Sequence, residues 1–295
     1  MKTVLVIGAT GAQGGSVASH LLDRRTFAVR ALTRNPDSPA AQTLRARGAE
    51  VVRGELDDRG SLRAALKGVD AVFGVTNYWE HFEKEAEHGR NLINAVAGAE
   101  VEHFVLSTLP SVDAWSKGEL KSPHFDQKYE MEQYARSLGL PATFVHVAFY
   151  YDNFFSFFPP QKNGDGRYHF AFNQGEVPLA GVAAEDIGGV VAGILEHPDA
   201  YLGKTVGIVG DDLTPEQYAL AMSRASGKSI IYDYVPREVF AKFPFKGADD
   251  LADMFEFNRR FYPNRLVDLA QSRAIYPGMQ SFEQWISKRG DKVAA

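Results

Sequence analysis

Cysteine is missing from the chain altogether. That absence excludes disulfides, thiolate metal sites and a cysteine nucleophile, so any redox response has to run through a bound cofactor. Charge of neither sign dominates: 32 Lys and Arg stand against 37 Asp and Glu, for a net charge of -5 and a pI near 5.9. The basic residues are scattered among acids, which leaves no electrostatic footprint for nucleic acid, and no direct contact with DNA or RNA is expected. Long apolar runs are also lacking. None approaches the roughly 20 residues of a membrane-spanning helix. The first strand pattern begins at Thr3, so neither a signal peptide nor a membrane anchor is expected, and a cytoplasmic location is the default.

What the chain does have is size and apolar content. Its 295 residues, 45% of them hydrophobic, suffice for a substantial core in one large domain, or in one domain with a smaller lobe. Short runs that are apolar on both faces recur at Thr3 to Ile7, Ala28 to Leu32, Ala49 to Val52, Ala71 to Val75, His103 to Leu106 and Ala142 to Val147. Between them, Pro39 to Arg47, Ser61 to Leu66, Glu83 to Ala97 and Asp126 to Leu138 carry apolar residues three and four apart. This alternation predicts an α/β fold with right-handed crossovers: a Rossmann-type doubly wound parallel sheet. The predicted Rossmann domain covers residues 1–150, with returning segments near 184–210. A smaller, discontinuous C-terminal α+β lobe takes 151–295. That lobe opens on a dense aromatic stretch, Phe149 to Pro160, followed by a turn at Asn163 to Gly166 and a hairpin through Tyr168 to Phe172. Thr214 followed by Pro215 marks a helix start there. Helices are also expected around Ala248 to Phe257 and Phe282 to Lys288.

The first strand runs straight into Gly8-Ala-Thr10-Gly11-Ala12-Gln13-Gly14-Gly-Ser and then a helix. Strand, glycine turn and helix in that order is how an α/β protein holds a dinucleotide. Gly8 permits the sharp exit from the strand, Gly11 the approach of a pyrophosphate and Gly14 close packing of helix on strand. Arg34 follows the second strand, where a protein preferring NAD more often places an acid for the ribose 2'-hydroxyl; guanidinium favours a 2'-phosphate and hence NADP(H). Asp57, after the third strand, is read either as an adenine contact or as the cap of the next helix. Thr76, Asn77 and Tyr78 close the fourth strand at the carboxyl edge of the sheet and are expected cofactor contacts. Short-chain dehydrogenases carry Tyr-x-x-x-Lys on a helix after the fifth strand; this chain has His124-Phe-Asp-Gln-Lys128. Lys128 is either a ribose or nicotinamide contact or a plain exposed lysine, while His124 is either a general acid or a helix-start packing residue. Ser107 and Thr108 end the fifth strand, where a hydroxyl can orient a carbonyl. The aromatic stretch either walls an apolar pocket or packs the lobe, with packing preferred. His81, His88, His103 and His124 lack convergent ligand spacing, so no metal site is expected.

These motifs resemble the NmrA-like family, atypical short-chain dehydrogenase/reductases, and most of all its NADPH-sensing members. The resemblance spans nearly the full length and is carried by Gly8 to Ala18, Val29 to Pro36, Gly48 to Val52, Val75 to Glu80, Pro123 to Lys128, Tyr150 to Asn153 with Pro160 to Lys162, Val177 to Gly181 and Ala252 to Phe255. It departs from the sensors at Glu55-Leu56 and around Phe82 to Glu85. The resemblance implies NADP(H) held by the glycine loop, with Arg34 at the 2'-phosphate and Asp57 at the adenine side. It assigns Asn77, Lys128, Tyr150 and Asn153 to the nicotinamide half. It further implies a redox sensor with a regulatory protein partner, a homodimer and little or no dehydrogenase turnover. The alternative is an NADPH-dependent reductase of an apolar carbonyl or quinone.

Overall fold

In the computed structural model, which describes residues 1–261 and 267–294, the chain forms two compact units. The first comprises Met1–Pro110, Gln127–Val147 and Glu185–Val206; the second comprises Ser111–Asp126, Ala148–Ala184 and Gly207–Ala295. The segment Ser111–Asp126, which the sequence pattern keeps with the first domain, thus belongs with the second unit.

The first unit is built on a seven-stranded sheet. Its strands are β1 (Thr3–Val6), β2 (Ala28–Thr33), β3 (Glu50–Arg53), β4 (Ala71–Gly74), β5 (His103–Thr108), β6 (Ala142–Val147) and β7 (Thr205–Ile208), in the spatial order β7-β6-β5-β4-β1-β2-β3. Pairing is parallel from β1 to β2 and β4, and from β4 through β5 to β6. The strand order reverses between β1 and β4, and in open α/β sheets the crevice beyond the carboxyl ends at such a reversal is where ligands bind. Val4, Leu5 and Val6 are fully buried, as expected for a strand covered on both faces. On one face Leu5, Val72, Phe104 and Phe144 share a cluster with Leu62, Leu92, Ile93 and Met131. These come from the helices α3 (Arg59–Ala65), α5 (Glu85–Ala97) and α6 (Pro123–Ser137), which follow α1 (Ala12–Arg24), α2 (Pro39–Ala46) and the single turn α4 (Tyr78–His81). Helix α7 (Ile187–Glu196) crosses α1 at very short range, since a Cβ on Gly188 would stand 2.2 Å from the Ser16 carbonyl oxygen. Ser16 Oγ fastens the crossing by donating to the Glu185 carbonyl at 2.6 Å and accepting from the Gly188 amide at 2.9 Å. Among the described residues no helix is long and apolar enough to cross a membrane.

In the second unit, Leu179–Val182 pairs with Phe149–Tyr150 in parallel and with Asp211–Leu213 antiparallel. A second small sheet sets Tyr168–Phe172 against Ile230–Tyr234 and closes the expected hairpin with Gln161–Lys162. Its core is aromatic: Phe172 stacks on Phe255 at 4.5 Å, and Phe154 meets Tyr218 and Phe282 at 5.2 and 5.6 Å. Tyr151, Phe154 and Phe158 are buried while Phe157 remains 53% exposed, so this stretch packs the unit. Thr214 caps the helix Pro215–Ser226 in a full capping box with Gln217.

Candidate dinucleotide-binding site

The glycine turn has the backbone that its sequence demands. Gly8 leaves β1 at φ +64, in the left-handed region that disfavours side chains, and the Gly11 amide closes the turn onto the Gly8 carbonyl at 2.8 Å. A Cβ on Gly14 would come within 2.3 Å of the Gly8 carbonyl oxygen and 2.6 Å of the Ile7 carbonyl oxygen. The first turn of α1 therefore lies directly against the end of β1. Gly11 is the N-cap of α1, extended and without a capping side chain, and the first turn carries no acid. The positive end of this 13-residue helix is thus left unneutralised by its own sequence. Thr10, Gly11 and Ala12 are exposed and Gln13 and Gly14 buried. A bare, positive, backbone-lined turn of this kind fits a pyrophosphate.

The charged residues expected around the turn each have a side-chain partner in the protein. Arg34, immediately beyond β2, pairs with Glu80 of α4 at 2.6 Å, and the other Glu80 oxygen accepts from the Asn77 side chain at 3.2 Å. The hydrogen bond to Arg34 holds the Glu80 carboxyl below the ordinary carboxylate range. Asp57 does not cap the helix that follows it. Asp58 does, accepting from the amides of Gly60 and Ser61 at 2.8 and 3.1 Å. Asp57 instead accepts from His88 Nε2 at 2.6 Å, which outweighs the upward pull of burial and lowers its pKa.

Thr76 and Lys128 are brought together, but around a third residue that the sequence pattern left unmarked. Glu85, fully buried, accepts from Thr76 Oγ1 at 2.6 Å and forms an ion pair with Lys128, whose ammonium lies 3.4 Å from the same hydroxyl. Among the described residues only one Glu85 oxygen is engaged; Oε2 is buried with no hydrogen-bond partner there. Tyr78 is buried against Trp79 and Phe82. Thr108 is not available to orient a carbonyl, since its hydroxyl is fully buried and donates to Glu132 at 2.7 Å. Glu132 also accepts from His146 and Arg136, at 3.1 and 2.8 Å. Burial pushes Glu132 up, but those hydrogen bonds prevail and hold it at about 2.

His124, Tyr150 and Asn153 belong to the second unit. His124 is buried and its Nδ1 faces the Asp250 carboxylate, with the His124 amide donating to the other Asp250 oxygen at 3.0 Å and Ser122 Oγ donating at 2.5 Å. Burial raises the Asp250 pKa, yet these partners bring it below the usual value. The carboxylate on Nδ1 fixes the orientation of the imidazole ring. Tyr150 ends the strand Phe149–Tyr150, opposite Val182. Asn153 lies in the turn Tyr151–Phe154, its carbonyl accepting from the Phe158 amide at 2.8 Å. Asp250, Glu85, Glu80 and His88 escape sequence reasoning because each reads as an ordinary polar position of a helix.

Among proteins of known sequence and structure, the profile of the NmrA-like family matches residues 1–286. An NmrA-like family domain-containing protein of Dictyostelium discoideum is 32% identical over 250 residues, covering 82% of this chain and 83% of that protein. The NmrA-like family domain-containing oxidoreductase FrzB of a Cladobotryum species is 32% identical over 282 residues, 87% of this chain and 83% of its own. The fold is shared with NmrA, a negative transcriptional regulator solved with NAD (TM-score 0.83, 24% identity, covering 97% of this chain and 94% of that one) and with NADP (TM-score 0.82). With the family's profile spanning the sheet, the glycine turn and most of the second unit, the chain belongs to the NmrA-like family.

Proposed function

We propose that this protein binds NADP(H) at the glycine turn and acts as a cytoplasmic redox sensor or regulator with little or no dehydrogenase turnover. The observation that carries the reading is the acid-free N-terminus of α1 packed on β1, with Arg34 standing where an NAD-preferring chain more often has an acid. Gly8, Thr10, Gly11, Ala12, Gln13 and Gly14 would hold the pyrophosphate, and Asp57 the adenine side. Thr76, Asn77, Tyr78, Lys128, Tyr150 and Asn153 would hold the remainder. The bound nicotinamide would supply hydride chemistry, but the chain has His124 where related enzymes have the tyrosine acid. A regulatory protein partner and a homodimer belong to the same reading.

A second reading, an NADPH-dependent reductase of an apolar carbonyl or quinone, is favoured by the His124–Asp250 pair. A carboxylate fixing one ring nitrogen is how an imidazole is oriented for proton transfer. Titration with NADPH, NADP and NADH, followed by a screen for NADPH oxidation over quinones and enones, separates the two. A sensor binds and shows no substrate-dependent oxidation, and His124→Ala leaves its NADPH affinity nearly unchanged. A reductase turns over, and His124→Ala lowers the rate about 100- to 10,000-fold with little effect on NADPH affinity. Steady turnover abolished by His124→Ala overturns the sensor reading.

A further inference from the structure

Arg34 already has a ligand of its own. Its guanidinium pairs with the Glu80 carboxylate at 2.6 Å, both side chains are about half exposed at 55% and 41%, and the field of Glu55 also reaches it. Glu80 is positioned by local structure: Asn77 stands just before the α4 turn, and its side-chain amide donates to Glu80 Oε2 at 3.2 Å. An acid is thus present beside the residue that follows β2, but it is delivered from the end of β4 and not from β2 itself. An acid there can accept hydrogen bonds from an unphosphorylated ribose and repels a 2'-phosphate. A guanidinium does the reverse.

We propose that Glu80 is a specificity-determining residue, a built-in competitor for Arg34 that lowers the preference of the site for NADP(H) over NAD(H). The inference rests on the reading that the glycine turn holds a dinucleotide. An incoming 2'-phosphate does not meet a free guanidinium. It displaces a carboxylate that then remains nearby as a like charge, whereas a 2'-hydroxyl leaves the Arg34–Glu80 pair in place and donates to it. Glu80 thus opposes Arg34 for the phosphorylated cofactor and assists binding of the unphosphorylated one.

The test is calorimetric titration of the full chain and of Glu80→Gln with NADP+ and NAD+, at low and at physiological ionic strength. Glutamine keeps the shape and the contact to Asn77 while removing the charge. The ratio of NADP+ to NAD+ affinity is expected to rise about tenfold in Glu80→Gln, about 1.4 kcal/mol. The rise should shrink as added salt screens a pair this exposed. A change in the ratio of less than threefold, or a shift toward NAD+, overturns the inference while binding of both nucleotides leaves the dinucleotide reading standing. Failure of both nucleotides to bind wild type and variant alike overturns that reading, and this one with it.

Discussion

Replacing Lys128 by methionine is the obvious way to ask whether the lysine serves a cofactor, but the structure makes it first a test of stability. Methionine preserves the aliphatic stem and removes the ammonium. What is left behind is Glu85, whose side chain is fully buried beside a Lys128 side chain only 10% exposed. One Glu85 oxygen has no partner among the described residues even in the wild type, so without the lysine the carboxylate keeps, of those residues, the Thr76 hydroxyl. A buried pair broken on one side leaves an uncompensated charge, at about 3–5 kcal/mol. At about 2–4 °C per kcal/mol for a domain of this size, Lys128→Met should lower the melting midpoint by about 6–20 °C. Glu85→Gln in the same background removes the stranded charge, keeps the acceptor for Thr76 and should restore most of the loss. Thermal melts of the wild type, both single variants and the double variant, read by circular dichroism, complete the cycle. If Lys128→Met melts within 2 °C of wild type, or if adding Glu85→Gln recovers nothing, the pairing argument fails. Cofactor affinity is then best compared between wild type and the double variant, where folding no longer confounds it.

Two further substitutions separate fold from binding in the glycine turn. Gly14→Ala places a methyl 2.3 Å from the Gly8 carbonyl oxygen, which cannot yield as a side chain would, and is expected to destabilise by about 1–3 kcal/mol or more. A Cβ on Gly11 meets nothing closer than that same oxygen at 3.3 Å, so Gly11→Val should cost the melt less than Gly14→Ala while abolishing dinucleotide binding, and normal NADPH binding by it would make the turn structural only. Acid sensitivity should concentrate at Glu132. Its folded pKa, at about 2, lies below the ordinary carboxylate value near 4.5. Its contribution, about 3 kcal/mol by linkage, is therefore present above pH 4.5 and lost as the pH falls toward 2. Glu132→Gln should flatten the decline in stability over that window, and an unchanged acid limb in a pH series of melts would refute it.

The sheet was legible because its central strands are buried on both faces and read as apolar runs whatever their partners. Ala71–Gly74 and Ala142–Val147 need no long-range information to be found. Gly8 and Gly14 were legible for a related reason, since glycine adopts φ +64 at the least cost and alone admits a neighbouring backbone 2.3 Å from the Cβ position. The short turn α4 was missed, because Tyr-Trp-Glu-His carries no periodicity over so few residues. The choice between cap and adenine contact stayed open for Asp57 because Asp57 and Asp58 are both acids at a helix start, and only the backbone decides which one turns inward.

The charged site residues show where such reading stops. Arg34, Asp57 and Lys128 announce themselves as groups for a ligand because sequence reports a charge without its counter-charge. Their partners, Glu80, His88 and Glu85, all come from one short stretch that begins after β4. That stretch leaves the carboxyl edge of the sheet beside β1, since β4 pairs directly with β1 and Val75 stands 3.2 Å from the Cβ position of Gly8. Topology, and not local pattern, thus delivers three partners to three residues that lie 31 to 46 positions away in the chain. The consequence is energetic. Coulomb attraction between a ligand group and Arg34 is offset by the attraction it replaces, so affinity follows the difference between two partners and not the strength of either. For the half-exposed Arg34–Glu80 pair that difference is small and sensitive to salt. For the buried Lys128–Glu85 pair the exchange would strand a carboxylate, so Lys128 contributes to binding only where the incoming group also satisfies Glu85. A ribose hydroxyl, which donates and accepts, meets that requirement; a phosphate, which only accepts, does not.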